Sequence, residues 1–326
     1  MTSKLAYILA ASHSGSTLLS MLLGSHPQVV TTGEINLSPQ AIGSLDRYRC
    51  SCGELILECA FWQKIKEGMA ARGHVFDLSD AGTDFKASDS AYARRLLNPM
   101  VRGPWLEGLR DAALSLSPIW RRQFRQIQDR NAAFVSTALD VTGAGVVVDS
   151  SKIALRLKYL LRNTELDIKV IRLIRDGRAV ALTYMDPAGF ADAQDPGRRA
   201  GGMGGDRKDQ RLRMEQAAYE WRRCVEEAEQ VLRKLSPSQW IEVRYEAYCS
   251  RPDETLSRIC QFLEIEPGML PNSFRDVEQH VVGNGMRLDT TSEIQLDERW
   301  RSTLSKQDLA EFNRIAGDMN QRYGYK

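Results

Sequence analysis

The sequence lacks two features that would direct a protein to a membrane or to a nucleic acid. No apolar run approaches the roughly 20 residues of a membrane-spanning helix, and the apolar stretch at residues 5–11 is too short for a signal peptide. Neither sign of charge is in excess, because 44 Lys and Arg residues against 42 Asp and Glu residues leave a net charge of +2. That balance gives no broad positive surface. We therefore expect a cytoplasmic protein with no membrane span and no nucleic-acid partner, in which any anion site is local.

The loop after the first predicted strand lacks the sequence signature of a nucleoside-triphosphate site. It keeps the order of strand, glycine-containing turn and helix that such sites have. Residues 5–11 predict a buried strand, and residues 17–23 predict a helix. A phosphate or sulfate fits at such a helix start, where free backbone N–H groups and the positive end of the helix dipole converge. In the G-x-x-x-x-G-K-[ST] pattern of triphosphate loops, Ala10 replaces the first glycine and Ser16 replaces the lysine. The loop is therefore a candidate phosphate or sulfate site, and an ordinary turn capped by Ser14 or Ser16 is the alternative.

The sequence has six cysteines, and three of them, Cys50, Cys52 and Cys59, lie within one short stretch. A tetrahedral zinc site needs a fourth ligand, and no histidine lies inside that stretch. We therefore expect no metal in this protein, and we expect these cysteines to be reduced or to pin their loop.

Predicted strands and helices alternate along most of the chain, which is typical of an α/β fold with a mainly parallel sheet flanked by helices. The 43% hydrophobic content suits one large domain, residues 1–326. Residues 60–140 read as helical and are expected to cover the acceptor side. Residues 186–208, rich in Gly, Pro, Asp and Arg, are expected to form a mobile functional loop. Ligands in such folds bind at the carboxyl ends of the strands.

Three stretches carry a family resemblance: the first loop, "RDGRAVALT" at residues 175–183, and "HVVGNGMR" at residues 280–287. Together they resemble sulfotransferases that use 3′-phosphoadenosine 5′-phosphosulfate as the donor. The branch that contains the protein-tyrosine sulfotransferases and related bacterial enzymes is the most similar. The resemblance implies a P-loop NTPase-like, three-layer sulfotransferase fold over nearly the whole chain. The product of the donor is then 3′,5′-adenosine bisphosphate, and no metal takes part.

The resemblance also assigns donor-binding roles. The 5′-phosphosulfate is expected on the first loop, the 3′-phosphate on an arginine and a hydroxyl residue, and a late turn is expected to close over the donor. The corresponding residues are Ser14, Gly15, Ser16 and Thr17; Arg175 and Thr183; and Asn284 and Arg287. His13 stands where the family usually has Lys or Arg, and it is expected to act there as a hydrogen-bond donor or as a pH-sensitive cation. Tyr245 is either a neighbour of the adenine or a core residue.

The predicted reaction is an in-line displacement in which the protein supplies positioning and charge stabilisation. In the tyrosyl branch the general base is a glutamate just after the second strand, and Glu34 stands at the matching place. Lys152 is expected to offset negative charge near the transferred group, with Ser150 or Ser151 as alternatives. The predicted catalytic residues are therefore Glu34, His13 and Lys152.

The acceptor is open at this point: a hydroxyl, or less often an amine, on a small molecule, carbohydrate, lipid or peptide. A homodimer is also left open. Two other functions fit parts of the sequence. A P-loop kinase or nucleotidase would use Asp149, at the end of a predicted strand, as its metal-binding acid. A non-catalytic nucleotide-binding scaffold would explain why His13 replaces the usual cation.

Overall fold

In the part of the chain that the structure describes, five parallel strands form the central sheet. In the computed structural model, residues 2–36, 45, 48–97, 104–191, 211–267 and 273–326 are described, so residues 192–208 of the predicted mobile loop lie outside them. The sheet has the order β2-β3-β1-β4-β5, and every pairing in it is parallel. The strands are β1 (Ser3–Leu9), β2 (Val29–Gly33), β3 (Val146–Lys152), β4 (Leu166–Ile174) and β5 (Trp240–Arg244). The predicted α/β fold with a mainly parallel sheet is confirmed.

Helices connect and cover the strands. They are α1 (Ser16–Gly24), α2 (Ala60–Ala71), α3 (Ala91–Leu97), α4 (Pro104–Ser115), α5 (Pro118–Thr142), α6 (Ala154–Leu160), α7 (Gly177–Met185), α8 (Pro187–Phe190), α9 (Met214–Leu232), α10 (Tyr245–Ser250), α11 (Pro252–Leu263), α12 (Trp300–Thr303) and α13 (Lys306–Arg322). Short 3₁₀ helices span Pro237–Gln239 and Gly285–Leu288. Four of the helices, α2 to α5, occupy the stretch from residue 60 to about residue 140. None of the helices in the described ranges is both long and apolar enough to cross a membrane.

The sheet lies between two apolar layers because its central strand is buried on both faces. Leu5, Tyr7 and Leu9 of β1 belong to one hydrophobic cluster, whereas Ala6 and Ile8 belong to another. Successive side chains of a strand point to opposite faces, so this alternation places one cluster on each side of the sheet. The continuous apolar run of β1 is therefore the pattern of a strand covered by helices on both faces.

The parallel register brings several chain segments to one edge of the sheet. Leu9 at the end of β1 pairs with Lys152 at the end of β3, and Gly33 at the end of β2 pairs with Asp149 of β3. On the other side β1 pairs with β4, whose last residue, Ile174, comes just before Arg175. The connection from β1 leads to β2 while β4 lies on the opposite side, so the strand order reverses at β1. Ligands of open α/β sheets bind at such a position.

Candidate active site

The first loop makes a tight turn between β1 and α1. His13 has φ 62° and Gly15 has φ 83°, both in the left-handed region. A Cβ atom on Gly15 would lie 2.1 Å from the hydroxyl oxygen of Tyr248, which donates a hydrogen bond to the Gly15 carbonyl at 2.8 Å. Only glycine combines this backbone angle with this close approach. The turn therefore depends on Gly15, the one residue of the triphosphate-loop pattern, apart from Thr17, that the sequence retains.

The polar groups of this loop fit an anion. Helix α1 begins at Ser16, and the first N–H groups of any helix have no partner within the helix. The side chain of Ser14 is buried, and its Oγ has no hydrogen-bond partner in the described part of the chain. A buried hydroxyl in this state is costly unless a ligand or water satisfies it. An oxygen of a phosphate or sulfate would accept a hydrogen bond from Ser14 and lie at the positive end of the helix dipole.

Arg175 lies beside the first loop. The side chain is fully buried, at 0% exposure, and Nη1 donates a hydrogen bond to the His13 carbonyl at 2.8 Å. The guanidinium group also stacks over the ring of Tyr245, 4.1 Å from its centroid. The structure thus brings together two of the segments to which the sequence assigned donor binding. Tyr245, for which two roles were open, supports Arg175 and also borders a cavity next to Gly15.

The guanidinium group of Arg175 forms an ion pair with the carboxylate of Asp297. Asp297 accepts a hydrogen bond from Arg175 Nη2 at 2.8 Å and another from Arg299 Nε at 2.7 Å. Burial alone would raise the pKa of Asp297, but the hydrogen bonds from Arg299 and the charges of both arginines outweigh it and lower the pKa to about 2. Two arginines and one ionised carboxylate therefore meet at this point, where a bound phosphate would have to compete with Asp297.

A cavity of about 280 Å³ adjoins the first loop and Asp297. Gly15 and Leu18 line it from the side of the loop, Tyr245 from α10, and residues of the segment 289–299 close it from the opposite side. The size is at the lower end of small-molecule pockets, which start at roughly 300 Å³. The segment that carries Asp297 therefore bounds a cavity that touches both Gly15 and Tyr245.

Thr183 lies on α7, two turns from Arg175. The hydroxyl is buried and lies 3.2 Å from the Ala179 carbonyl and 3.3 Å from the Phe190 carbonyl. A helical threonine commonly donates to the carbonyl four residues earlier, so these contacts hold α7 and α8 together. The binding of a 3′-phosphate by Thr183 stays a prediction.

The late turn at Asn284 and Arg287 packs against residues 48–50. The Asn284 side chain accepts a hydrogen bond from the Met286 N–H at 3.0 Å and begins a 3₁₀ helix. Arg287 is buried, donates to the Arg49 carbonyl at 2.9 Å and lies over the ring of Tyr48. Burial lowers the pKa of Arg287. These contacts tie the turn to the chain, and its closure over a donor stays a prediction.

Two predicted catalytic residues form an ion pair at the ends of β2 and β3. Lys152 Nζ donates a hydrogen bond to Glu34 Oε1, and the two side chains are 13% and 20% exposed. Glu34 follows Gly33, which has φ 81° and whose added Cβ would lie 1.8 Å from the Val282 carbonyl oxygen. Lys152 itself has φ 69°. Close packing against Val282 therefore fixes the chain directly before Glu34, and the pair lies at the edge of the sheet with partial access to solvent.

Asp149, the candidate metal ligand of the kinase alternative, is bound within the protein. Asp149 is fully buried; Oδ2 accepts a hydrogen bond from Arg156 Nη2 at 3.1 Å, and Oδ1 accepts one from the Ser151 N–H at 2.9 Å. Ser151 Oγ also donates to Asp149. Because both carboxylate oxygens accept internal hydrogen bonds, Asp149 and Ser151 stabilise the turn before Lys152.

Sequence analysis missed Asp297 and Arg299. Both lie in "DERWRS" at residues 297–302, outside the three stretches that carry the family resemblance. Asp297 is 122 residues away from Arg175, and nothing in the local sequence pattern links the two.

His13 of the first loop contacts α7. Its ring meets the ring of Tyr184 edge-on, with 4.9 Å between the ring centroids.

Comparisons with known proteins agree with this architecture. A sequence model of the sulfotransferase family matches residues 6–267. The fold is similar to the sulfotransferase domain of the Synechococcus PCC 7002 olefin synthase, with a TM-score of 0.51 and 18% identity over 100% of this chain and 96% of that one. Sulfotransferase STF9 from Mycobacterium avium is less similar, with a TM-score of 0.46 and 12% identity over 99% of this chain and 77% of that one. A search of curated proteins found no match. The predicted sulfotransferase fold is confirmed.

Proposed function

Because the chain belongs to the sulfotransferase family, we propose that it transfers a sulfuryl group from 3′-phosphoadenosine 5′-phosphosulfate to a hydroxyl group of an acceptor. The observation that carries the proposal is that a buried arginine, Arg175, lies next to the first loop, whose polar groups fit an anion. Ser14 Oγ is buried without a partner in the described chain, and Arg175 donates to the carbonyl of the adjacent His13. Two separate anion-binding groups, one after β1 and one after β4, suit a ligand with two phosphate positions, one at each group.

The first loop binds the 5′-phosphosulfate in this proposal, through the hydroxyls of Ser14, Ser16 and Thr17 and the N–H groups at the start of α1. Arg175 binds the 3′-phosphate, with the hydroxyl of Thr183 as the second group. Arginine suits this role because its planar guanidinium offers two parallel N–H groups to one phosphate. Asp297 must then leave Arg175 when the donor binds. Asn284 and Arg287 act through the late turn, which shapes the edge of the site.

Glu34 is the general base in this proposal. The acceptor oxygen forms a bond to sulfur while the bond from sulfur to the 5′-phosphate oxygen breaks, and the acceptor proton moves to a carboxylate oxygen of Glu34. The leaving phosphate takes up the electron pair. A glutamate suits this step because it needs to accept a proton only as the transition state forms.

Lys152 and His13 stabilise the negative charge that develops on the oxygens around sulfur. Lys152 pairs with the Glu34 carboxylate before the reaction. Once Glu34 has accepted a proton, its carboxyl group is neutral and the Lys152 ammonium is released to interact with the nearest negative oxygen. His13 donates a hydrogen bond toward the leaving oxygen, in the place of the lysine or arginine of other family members. Lys152 and His13 together stabilise the negative charge that a single lysine or arginine stabilises in other family members.

The helical stretch from α2 to α5 covers the acceptor side in this proposal, and the acceptor is a small molecule, carbohydrate, lipid or peptide. The internal hydrogen bonds of Asp149 argue against a kinase or nucleotidase, which would need a free acid for magnesium. The test is incubation of the enzyme with radiolabelled donor and a panel of hydroxyl acceptors, without metal. Formation of labelled product together with 3′,5′-adenosine bisphosphate by the wild type, but not by Glu34→Gln, is the expected result. Phosphoryl transfer from ATP with magnesium would contradict it.

A further inference from the structure

We propose that this protein holds a zinc ion between Cys50, Cys52, Cys59 and His280. The four ligand atoms, three thiol sulfurs and one imidazole nitrogen, all lie within 4.8 Å of one another. The sequence analysis expected no metal because no histidine lies near the cysteines in the chain. In the folded protein a histidine does lie beside the cysteines. His280 follows Cys59 by 221 residues in the chain, and the fold places its imidazole next to the three thiols.

The spacing of the ligand atoms matches a tetrahedral site. Zinc–sulfur bonds of about 2.3 Å and zinc–nitrogen bonds of about 2.0–2.1 Å place two sulfurs about 3.8 Å apart, and a sulfur and a nitrogen about 3.6 Å apart. The sulfurs of Cys52 and Cys59 lie 3.7 Å apart, and His280 Nδ1 lies 3.7 Å from the sulfur of Cys50 and 3.4 Å from that of Cys59. A disulfide needs sulfurs about 2.0 Å apart, so these thiols are not bridged to one another.

The surroundings of His280 favour a metal ligand over a simple packing residue. Nδ1 faces the sulfurs, whereas Nε2 lies 3.4 Å from a carboxylate oxygen of Glu278. Histidines that bind metals usually donate the other ring N–H to a carboxylate or carbonyl, which fixes the orientation of the ring. The ring also stacks on Phe61, with 4.5 Å between centroids and 4° between planes. Two separate contacts thus hold Nδ1 toward the three sulfurs.

The backbone around the cysteines forms a compact turn. The Gly53 N–H donates to the Cys50 carbonyl at 3.0 Å, and Gly53 has φ 93°, so the chain reverses directly after Cys52. This reversal brings Cys50 and Cys52 to the same side of the loop. Cys50 and Cys59 are buried and Cys52 is half-buried, and a cavity of about 570 Å³ reaches Cys52, Cys59 and His280. The site therefore has a path by which an ion can enter.

Four protein ligands leave no position for water or substrate, so the zinc is structural. It joins the segment that holds Tyr48 to the segment that ends at Gly283. The Gly283 N–H donates a hydrogen bond to the Tyr48 hydroxyl oxygen at 2.9 Å. Val282, two residues after His280, pairs with Gly33 directly before Glu34. The metal thus fixes the strand-like segment against which the predicted catalytic base is packed.

The test is metal analysis of untagged protein produced in medium that contains zinc and iron, by inductively coupled plasma mass spectrometry. We expect about one zinc ion per chain in the wild type. Cys52→Ser and His280→Ala are expected to lose it, and His280→Cys is expected to keep it because a fourth thiolate also binds zinc. Cys260→Ser is the matched control, a buried cysteine outside the cluster, and is expected to keep the zinc. Glu278→Gln should bind zinc about tenfold more weakly, as is typical when the carboxylate behind a histidine is lost.

The proposal is overturned if the wild type contains less than about a tenth of an ion per chain, if iron replaces zinc, or if the zinc survives both Cys52→Ser and His280→Ala. Should these variants fail to fold, cobalt substitution of the wild type decides the matter. Sulfur-to-cobalt charge-transfer absorption is expected, with the band pattern of tetrahedral cobalt bound to thiolates, and absence of those bands contradicts the proposal. None of these measurements depends on transferase activity.

Discussion

Asp297→Asn is expected to lower the stability of the free protein and to raise its affinity for a 3′-phosphorylated nucleotide. The carboxylate of Asp297 binds Arg175, the residue proposed to hold the 3′-phosphate. A phosphate bound to Arg175 must displace this carboxylate or accept a second negative charge beside it. Asparagine keeps an oxygen that can accept hydrogen bonds from the two arginines but removes the charge. The two effects of the substitution therefore have opposite signs.

The size of the stability change follows from the lowered pKa. A pKa of about 2 against the ordinary 3.8 of Asp means that the folded state favours the charged form, by about 2–3 kcal/mol at about 1.4 kcal/mol per unit. Asp297 is only 19% exposed, so little of this is lost to screening by solvent. The carboxylate stabilises the fold fully above pH ~4 and loses this effect as the pH falls toward ~2. The loss of about 2–3 kcal/mol should make the variant melt a few degrees below the wild type at neutral pH.

The gain in affinity is about tenfold for 3′,5′-adenosine bisphosphate, which corresponds to about 1.4 kcal/mol. Isothermal titration calorimetry at neutral pH measures it. Asp318→Asn is the matched control, because it makes the same change at a 70% exposed side chain on α13, which pairs with Arg222 instead. We expect the control to bind the nucleotide like the wild type. The reasoning is refuted if Asp297→Asn binds the bisphosphate no better than Asp318→Asn, or more weakly.

Three further substitutions test the catalytic edge of the sheet. Glu34→Gln should lower turnover about 10²–10⁴-fold with unchanged bisphosphate affinity, because a general base acts only in the transition state. Lys152→Met should also lower turnover and should weaken the binding of the bisphosphate less than it lowers turnover. Gly33→Ala should destabilise the protein by several kcal/mol, because its Cβ would overlap the Val282 carbonyl, whereas Gly143→Ala, with φ 72° and no neighbour within 4 Å, should cost only about 1–2 kcal/mol.

Steady-state kinetics, calorimetry and chemical denaturation provide the three readouts. Full turnover by Glu34→Gln would show that Glu34 is not the general base. Equal losses of affinity and turnover in Lys152→Met would assign Lys152 to ground-state binding only. Equal costs for the two glycine variants would show that the chain around Val282 yields, and that Glu34 is not held by packing.

Local patterns in the sequence predict much of the site. β1 and β3 contain short apolar runs, β4 and β5 mix apolar with charged residues, and polar residues or a turn stand at the ends of β1 to β4. Because parallel strands end at one edge, the residues that follow them, Glu34, Lys152 and Arg175, could be predicted to meet there. The ion pair between Glu34 and Lys152 is the direct outcome of that rule. The turn at Gly15 was also evident, since its flanking strand and helix are strongly apolar.

Contacts between distant segments could not be predicted in this way. Asp297 reaches Arg175 across 122 residues, and His280 reaches Cys59 across 221. No periodicity links such residues, because their approach depends on how a whole layer of the fold packs. Arg287 shows the opposite case. The resemblance assigned it to donor binding, whereas its described contacts include the Arg49 carbonyl, the Gly283 carbonyl and the Tyr48 ring. The family resemblance identified the late turn, but the contacts of the Arg287 side chain depend on how that turn packs against the rest of the chain.

The binding of adenosine nucleotides in the absence of metal is the most direct test of the proposed donor site. Calorimetry would compare 3′,5′-adenosine bisphosphate, 5′-AMP and ATP on the wild type, and would repeat the comparison on Arg175→Lys and on Arg301→Lys, an exposed control. We predict that the wild type prefers the bisphosphate over 5′-AMP by at least about tenfold, and that Arg175→Lys loses most of this preference because lysine cannot bind a phosphate through two parallel N–H groups. Equal affinity for the bisphosphate and 5′-AMP, or tighter binding of ATP once magnesium is added, would contradict the account.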